Sequence, residues 1–595
     1  MKEETPAQGR TRPEDKIPFA ILAAYGSGGI IPIALFNIAG ILVGLMGNIS
    51  LGLSAFWLGF ILIIPRLWDA LSDPVIGHLS DNTRTRWGRR RPFLLIGGLL
   101  VAVMFVVMWW IPKGETVRGI FPTETGYQAF QLSYILVTLL LFFTAVNIFE
   151  IPHGALGMEL TTDYHERTRL FSAKSFVGNL FAMSTPWLFK LASMEVFRGT
   201  GGNEADGMRY VSLMIAAIIV PLAIWWFFRL REPGFVRAAK HEKTSFWKDM
   251  KLVATHRNFV MLTLTIFTLA MGFNFVQLLG SYIPIFYVFG GDKEAGATML
   301  GINGTIWAIT GVLAVFPLNW ISPRLGKRKT LVIAITLMCL AQLSKIVCYN
   351  PSLPYLIIIP TMLLSAGMLF FFTLGSSMVG DICDEDELKT GYRSEGSFYS
   401  IFWWFIKMGT ALSSFVAGAL IVLTLFDESQ VTKVDALQGS VRELRSEVNA
   451  AIPGVPDAAR LHPLIGKART RAGALLAHFE VKAKNGGRNS SHYRELARDI
   501  TDLRKGLDNM SAAVGAGALD RELIRIEQDL PRLTQQTPFT LLMMRIVEIG
   551  LPVLLSLFSL FFILRYSLTE ARSHEIKDLL RARHDANNGG QTELT

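Results

Sequence analysis

The sequence predicts an all-α polytopic membrane protein with twelve transmembrane helices in two six-helix halves, and three observations support this fold class. Of its 595 residues, 51% are hydrophobic and only 18% are charged, whereas soluble domains carry about 25% charged residues. The charges are segregated into short basic segments between long apolar stretches. Twelve of these stretches approach or exceed the roughly 20 residues that a membrane-spanning helix needs.

The stretches form two groups of six, with one long hydrophilic interruption before the last. The first group lies at 18–46, 51–73, 92–111, 130–151, 170–191 and 211–230. The second group lies at 259–290, 298–321, 331–349, 355–379, 397–426 and 539–564. The predicted segments are therefore an N-terminal tail at 1–17, an N-terminal half at 18–230 and a central loop at 231–258. A C-terminal half follows at 259–426, is completed by a last helix at 539–566, and is followed by a C-terminal tail at 567–595.

Short basic loops predict the orientation of the chain. The loop 87–91 reads WGRRR and the loop 325–329 reads LGKRK, a repeat that is typical of transporters built from two related halves with a site between them. If there are twelve spans, these loops lie on one side of the membrane, and the positive-inside rule makes that side cytoplasmic. We therefore expect a multi-pass protein of the cytoplasmic membrane with both termini in the cytoplasm. The net charge of +10 then does not indicate nucleic-acid binding.

The second span contains ionisable residues, which are costly inside a membrane and usually functional. Asp69 and Asp73 are four residues apart and so lie on one helix face. Two carboxylates this close would repel each other, so either one holds a proton or both share a bound cation. The alternative is that Arg66 simply pairs with Asp69 at the end of the helix.

Two further spans carry a single ionisable group. Glu150 ends the apolar run of the fourth span, and Pro152 is expected to interrupt the helical hydrogen bonds beside it. Lys407 lies in an aromatic stretch of the eleventh span and could balance the carboxylates or contact solute oxygens. The alternatives are that Glu150 reaches for water at a helix end and that Lys407 extends to the membrane interface.

A mixed-charge segment connects the tenth and eleventh spans, and we interpret it as part of a cytoplasmic gate that pairs with the basic loops. A solvated loop is the alternative. The candidate gate residues are Arg84, Arg86, Arg89, Asp163, Arg167, Asp381, Asp384, Arg393 and Glu395. Near the other end of the twelfth span, Arg545 and Glu548 are expected to form a structural pair.

The long interruption at 427–538 is predicted to be an extracytoplasmic helical insertion. Its apolar residues recur at helical spacing, as in Val434, Leu437, Val441 and Leu444, and predict a small bundle. An inert insertion and a lid or surface for an extracytoplasmic protein partner both remain open.

Sequence motifs that follow one another along the chain resemble the glycoside–pentoside–hexuronide:cation symporter family, the melibiose-permease branch of the major facilitator superfamily. They are RLWDALSDPVIG at 66–77 with RWGRRRP at 86–92, EIP at 150–152 with DYHERTR at 163–169, and GDICDEDELKTGYRSEG at 380–396 followed by Lys407. The resemblance covers roughly 18–426 and the last helix. It implies the major facilitator fold and import of a solute with Na⁺, Li⁺ or H⁺ by alternating access.

The resemblance also implies roles for particular residues. Asp69, Asp73 and Glu150 fall where the family binds its cation, and Glu150, Lys174 and Lys407 fall where polar groups meet the sugar or link the halves. Two features of the melibiose type are missing: the first span has no Asp or Glu, and Gly154 stands where an aromatic sugar platform is expected. The polar candidates in the first span are Tyr25, Ser27 and Asn37.

Three functions were weighed: cation-coupled symport of a sugar or glycoside, cation-coupled transport of an amphipathic solute such as a lysolipid or aglycone, and a non-transporting scaffold or sensor that uses the insertion. An enzyme is disfavoured because the sequence has no nucleophile elbow or phosphate-binding loop. No cofactor or metal site is expected beyond the coupling ion, Na⁺ or H⁺. The expected partners are a small solute, a monovalent cation and the lipid bilayer, with the chain as a monomer.

Overall fold

The computed structural model describes residues 16–35, 38–39, 43, 51, 53, 55–113, 115–199, 204–232, 251, 253–280, 282–391, 394–424, 426–452, 457–485, 489–510 and 516–592. These residues are almost entirely helical, and a helix lies at the position of each predicted span. The main helices of the first half are α1 (Phe19–Ser27), α2 (Ala55–Asn82), α3 (Arg91–Trp109), α4 (Glu124–Glu159), α5 (Tyr164–Ala182) and α6 (Glu204–Arg229). Further short helices lie at Glu115–Ile120, Thr185–Ser193 and Glu195–Arg198.

The second half begins with α7 (Arg257–Leu279), α8 (Lys293–Leu313), α9 (Lys327–Cys348), α10 (Ile358–Thr390) and α11 (Glu395–Leu423). The insertion then forms α12 (Glu428–Ala450), α13 (Ala458–Asn485), α14 (Ser490–Asp508) and α15 (Ala516–Asp529). The chain ends with α16 (Pro538–Arg565) and α17 (Glu570–Thr592).

Fewer helices pass a strict test for membrane spans than the sequence predicts. Among the described residues, seven helices are long and apolar enough to cross a membrane, or eight if Thr298–Leu313 and Val315–Leu325, bent by 43°, form one span. The first predicted span is represented by α1 and a π-helical turn at Ile30–Leu35. The count of twelve therefore stays a prediction.

Three helices continue beyond the ends that hydropathy predicts. α2 runs on to Asn82, α4 continues through Pro152 to Glu159, and α10 includes the charged segment up to Thr390. Consequently Asp73 and Glu150 lie inside helices and not at their ends, and Asp381 and Asp384 are helical and not in a loop. The physical reason is that these charges are buried against partners on other helices, so they do not need water.

The two halves meet along α2 and α11, α5 and α10, and α5 and α8. α2 and α11 approach very closely at Gly77, where a Cβ atom would lie 2.4 Å from Ser400 Oγ and 2.6 Å from the Gly396 carbonyl oxygen. Glycine is needed there because any side chain would separate the two helices. This close crossing fixes how far Lys407, on α11, lies from α2. We call the end of the bundle that carries Arg89, Arg167 and Lys327 the basic end.

The insertion has a hydrophobic core of its own, separate from that of the helical bundle. The predicted apolar stripe of α12 is buried, and so are Leu475, Ile500 and Leu523 on the following helices. Asp427 begins α12 by accepting a hydrogen bond from Gln430 N–H and contacting His478 Nε2 at 2.9 Å. Burial acts to raise the pKa of Asp427, but these contacts outweigh it and lower that pKa. The side of the membrane on which the insertion lies remains a prediction.

Candidate cation and solute site

The predicted acidic pair lies at the boundary between the two halves. Asp69 and Asp73 are fully buried on one face of α2. Lys407, on α11 of the other half, places its Nζ 3.0 Å from Asp69 Oδ2 and 2.7 Å from Asp73 Oδ2. The alternative in which Lys407 extends to the membrane interface is therefore wrong, because its side chain is only 13% exposed and turns inward.

A neutral amide completes this group. Asn147, on α4, donates through Nδ2 to Asp69 Oδ1 at 2.6 Å and accepts from Lys407 Nζ at 3.1 Å. Its Nδ2 also lies 3.3 Å from Ser72 Oγ. Among the described residues, Asp73 Oδ1 is buried without a hydrogen-bond partner. Asp69 Oδ2 is also buried, and Lys407 Nζ lies 3.0 Å from it. Oxygen atoms of this kind are the ligands that hard cations prefer.

Among the side chains that the structure describes, the charges around the acidic pair do not balance. In their usual forms, Asp69 and Asp73 contribute two negative charges and Lys407 contributes one positive charge, which leaves a net charge of −1. An unbalanced charge in a buried site is costly. One proton or one monovalent cation would neutralise the group.

A second buried group lies beside the first. Lys174, on α5, donates to Glu150 Oε1 at 2.7 Å and to the Tyr399 hydroxyl at 3.2 Å. Tyr399, on α11, also donates to Glu150 Oε1 at 2.9 Å. Glu150 therefore does not reach for water, and a tyrosine of the second half is bonded to an ion pair of the first. Glu150 Oε2 is buried without a hydrogen bond.

The structure explains why Gly154 replaces an aromatic residue. A Cβ atom at Gly154 would lie 2.0 Å from Tyr399 Cε1, so the tyrosine ring packs directly on the backbone of α4. The aromatic face near the fourth-helix carboxylate is thus supplied by α11. Trp403 packs edge-on against Tyr399, with 6.2 Å between ring centroids.

The first helix contributes an aromatic wall and no acid. Tyr25 is fully buried and stacks on His153, with ring centroids 4.3 Å apart. Its carbonyl oxygen lies 3.2 Å from His153 Nε2, and its hydroxyl is buried without a hydrogen bond. Ser27 instead bonds within α1 and to Trp226, and Asn37 lies outside the described residues.

One set of predicted gate residues forms a buried ion cluster at the basic end. Arg167, on α5, donates to Asp381 Oδ1 at 2.6 Å and to Asp384 Oδ2 at 2.7 Å, both on α10. Lys327 contacts the same Asp381 at 2.7 Å. The guanidinium of the first half is therefore bound directly to two carboxylates of the second.

A second cluster lies nearby and joins α2, α3, α4 and α11. Arg90 donates to Asp81 Oδ1 at 2.6 Å and to Glu159 Oε1 at 2.9 Å. Arg89 shares Glu159 at 2.9 Å and lies 3.7 Å from Glu395. Asp81 also accepts hydrogen bonds from the backbone N–H groups of α11 at Gly396 and Ser397.

The remaining predicted residues are not brought into these clusters. Arg84 and Arg86 are exposed, and Arg86 lies over the Trp87 ring. Asp163 accepts hydrogen bonds from the first N–H groups of α5 and contacts Lys577 at 3.2 Å. Arg393 and the side chain of Arg66 lie outside the described residues, although the backbone of α2 passes through position 66 without ending there.

The expected pair of Arg545 and Glu548 is wrong. Glu548 binds Lys345 of α9 and accepts a hydrogen bond from the Tyr349 hydroxyl at 3.0 Å. Arg545 instead donates to the Tyr287 hydroxyl at 2.7 Å. The physical reason is that an interhelical partner allows Glu548 to remain fully buried.

Sequence reasoning missed several residues that complete the site and the clusters. They are Asn147, Tyr399, Asp81, Glu159 and Lys327. Asp81 and Lys327 lie within the basic loops, and their charge could have identified them as candidate gate residues. Asn147 and Tyr399 are neutral, and their partners lie on distant segments of the chain, so nothing local distinguishes them.

The chain is similar to known transporters over most of its length. The family model described as "MFS/sugar transport protein" matches residues 24–455. The "Uncharacterized symporter YnaJ" of Bacillus subtilis is 26% identical, over 65% of this chain and 79% of the relative. The "Isoprimeverose transporter" of Lactiplantibacillus pentosus is 26% identical, over 62% and 73%.

Two further comparisons extend this picture. The "Sodium-dependent lysophosphatidylcholine symporter 1-A" of Danio rerio is 25% identical, over 59% of this chain and 68% of the relative. Among solved structures, a bacterial homologue of the iron transporter ferroportin in the outward-facing state gives a TM-score of 0.50 at 14% identity, over 67% of this chain and 92% of that chain. At this identity the structural likeness shows the fold alone.

The motifs, the all-helical fold and the family match agree that this is a multi-pass membrane protein of the major facilitator type. The chain belongs to the MFS/sugar transport protein family, in its branch of glycoside–pentoside–hexuronide:cation symporters.

Proposed function

We propose that the chain is a secondary active transporter that moves a sugar or glycoside-like solute across the cytoplasmic membrane together with Na⁺ or H⁺. The observation that carries this proposal is the buried pair Asp69 and Asp73, held by Lys407 of the opposite half. Because the group lacks one positive charge, it is suited to bind one monovalent cation or one proton. Because it bridges the halves, occupancy of the site can be coupled to their movement.

The residues of the site take distinct roles in this proposal. Asp69, Asp73 and Glu150 supply carboxylate oxygens to the cation, with Asn147 as a neutral neighbour. Lys174 and Lys407 carry the change in charge to the other half, and Lys174 with Tyr399 offers hydrogen-bonding groups to solute hydroxyls. Arg66 is assigned to the same coupling group by its position on α2.

The clusters at the basic end are proposed to be the cytoplasmic gate. In this structure they join the two halves, so the described arrangement has that end closed. Alternating access requires the Arg167 cluster and the Asp81 cluster to separate while the opposite end closes. Twelve spans, cytoplasmic termini, an extracytoplasmic insertion and a monomeric carrier belong to the same proposal.

A second candidate is cation-coupled transport of an amphipathic solute. It is favoured by the relative from Danio rerio, whose name states a lysophosphatidylcholine substrate. The absence of an acid in the first span, where Tyr25 and His153 stack instead, also favours a less polar solute. In this version the cation site keeps its role and only the solute differs.

The cation dependence is tested by thermal unfolding of the purified protein in Na⁺, Li⁺ or K⁺ at constant pH and ionic strength. A ligand that binds only the native state stabilises it by about 2.7 kcal/mol at one hundred times its dissociation constant. We expect Na⁺ or Li⁺ to raise the unfolding temperature of the wild type and to have no effect on Asp73→Asn. Asp206→Asn is the matched control, because Asp206 pairs with Lys113 at a partly exposed site.

If none of the three cations stabilises the wild type, sodium coupling is rejected. Uptake into proteoliposomes driven by a pH gradient then tests proton coupling. The solute class is resolved by the same unfolding measurement with a panel of glycosides and lysolipids. Stabilisation by glycosides alone supports the first candidate, and stabilisation by monomeric lysolipids alone supports the second.

A further inference from the structure

A cluster of metal-ligating side chains lies at the basic end, apart from the cation site. It consists of His165 at the start of α5, and Glu570 and His574 on the first turns of α17. The three side chains offer one ligand atom each, and these atoms all lie within 4.8 Å of one another. The sequence does not indicate a metal site here, because His165 is separated from the other two by most of the chain.

The two histidines of the cluster face one carboxylate oxygen. His165 Nε2 lies 3.2 Å and His574 Nε2 lies 3.8 Å from the same atom, Glu570 Oε1. Both nitrogen atoms are buried. Ligand atoms around a tetrahedral zinc ion are about 3.3 Å apart, given Zn–N and Zn–O lengths of about 2.0–2.1 Å. Small side-chain rotations would bring the three atoms to that spacing.

The surroundings of the cluster are formed by three parts of the fold. The His165 side chain is 8% exposed, and Tyr164 packs against both imidazole rings. Glu570 covers Gly326 in the loop before α9, where a Cβ atom would lie 2.9 Å from Glu570 Oε2. The cluster therefore connects α5 of the first half to α17 and the 326 loop of the second.

We propose that His165, Glu570 and His574 bind one divalent transition-metal ion of the zinc class. Two imidazoles and one carboxylate are ligands that zinc favours, and a water molecule would supply the fourth position. The ion fastens the C-terminal helix to α5 beside the ion pair of Lys577 and Asp163.

The position of this metal site has a consequence for transport, and this step rests on the proposed function. Because α5 belongs to the first half and α17 packs on α10 of the second, a bound ion holds the basic end closed. Zinc on the cytoplasmic side is therefore expected to slow solute uptake, and a chelator is expected to restore it. The metal site itself does not depend on the identity of the solute.

The binding test uses the full-length protein after removal of any affinity tag, titrated with zinc chloride by calorimetry in a non-chelating buffer. We expect one ion per chain in the wild type. Even changes outside the ligand set lower metal affinity about 10- to 100-fold, so His574→Gln and His165→Gln are each expected to lower it at least about 100-fold. His462→Gln is the control, because His462 is exposed on the insertion and should leave affinity unchanged.

Equal zinc affinity in the wild type and both variants overturns the site. Thermal unfolding without zinc checks that the variants are folded, and His574→Gln is the safer variant because the His574 side chain is 39% exposed. Zinc binding with unchanged uptake keeps the metal site and overturns only the closing effect. Failure of the proposed function is seen separately, as absence of cation-dependent uptake in zinc-free protein.

Discussion

At the scale of single residues, the ammonium group of Lys407 occupies the space between two carboxylates that come from the other half of the protein. Asp69 and Asp73 are fully buried, and each has an oxygen atom within 3.0 Å of Lys407 Nζ. Removing one partner of a buried ion pair costs about 3–5 kcal/mol. This lysine is therefore a structural counter-ion and, in the proposed cycle, a group whose contacts change when another cation binds.

Gly154→Ala tests the contact between α4 and the aromatic face of α11. The added methyl group would overlap the Tyr399 ring, so the ring must shift and lose its hydrogen bonds to Glu150 and Lys174. We expect a loss of about 1–3 kcal/mol in stability and a strong loss of uptake. Thermal unfolding and proteoliposome uptake measure the two effects.

Gly304→Ala is the matched control for this change. Gly304 lies inside α8, and a Cβ atom there meets nothing within 4 Å. The control should keep wild-type stability and uptake. If Gly154→Ala behaves in the same way, the close packing of Tyr399 does not constrain the site.

Ionisable residues of the site were predictable from the sequence, whereas their neutral partners were not. Asp69, Asp73 and Lys407 stand out because charge in an apolar span is rare and costly. Asn147 and Tyr399 carry no such signal, although they complete both hydrogen-bond groups. Their roles follow from contacts between distant helices, which hydropathy and spacing do not encode.

At the scale of helices, the N-terminal ends of α3 and α11 are both capped by carboxylates from elsewhere in the chain. Glu232, in the central loop, accepts hydrogen bonds from the N–H groups of Arg89, Arg90 and Arg91 at the start of α3. Asp81, near the end of α2, does the same for the start of α11 in the second half. A carboxylate also favours the positive end of the helix dipole. The cap at Asp81 therefore links the halves.

Asp81→Ala is expected to weaken closure of the basic end. The change removes a helix cap worth about 1 kcal/mol and a partner of the buried Arg90. A single cysteine at Ser400, buried on α11, should then react faster with a membrane-impermeant maleimide added from the cytoplasmic side. The measurement uses a background in which Cys339, Cys348 and Cys383 are replaced.

Glu232→Ala provides the comparison, since this carboxylate caps α3 without contacting the other half through that cap. It should lower stability with little change in labelling at position 400. Equal labelling in the two variants would show that the Asp81 cap does not control access.

The sequence predicted the positions of the helices well but placed several of their ends too early. Hydropathy ends a span where charges begin, so it stopped the tenth span at 379. The helix continues to Thr390 because Asp381 and Asp384 find Arg167 on another helix. Helix ends in this protein thus depend on ion pairs between helices, which a single segment cannot reveal.

At the scale of the whole molecule, the two halves are joined by two sets of polar contacts. The Lys407 and Tyr399 groups form one set, and the Arg167 and Asp81 clusters form the other at the basic end. Buried ion pairs contribute little net stability but are costly to break one-sidedly. Because intermediate positions would leave buried charges unpaired, such contacts favour two discrete arrangements of the halves over a continuous range of arrangements.

Comparing Arg167→Gln with Lys327→Gln distinguishes an effect on closure of the basic end from an effect on the stability of the fold. Both residues bind Asp381, but Arg167 belongs to the first half, whereas Lys327 and Asp381 both belong to the second. We expect both variants to be destabilised by about 3–5 kcal/mol. Arg167→Gln should increase hydrogen exchange at the adjoining ends of α5 and α10 more than Lys327→Gln, because the lysine contacts the first half only through the Tyr164 ring and hydroxyl. Increased exchange in Lys327→Gln to the same degree would contradict an interhalf role for the arginine.

The bond of Lys407 to the acidic pair also sets the conditions under which a mobile ion can compete. The Lys407 ammonium group is held near the carboxylates by its side chain and by α11. It therefore acts at an effective concentration on the order of millimolar or above. A coupling ion of equal affinity and lower concentration in solution does not displace it. In a sodium-coupled carrier, the ammonium group would therefore yield on the side where sodium is abundant and return where sodium is scarce. Its return would help to expel the ion and would leave both carboxylates in contact with an ammonium group inside the bilayer.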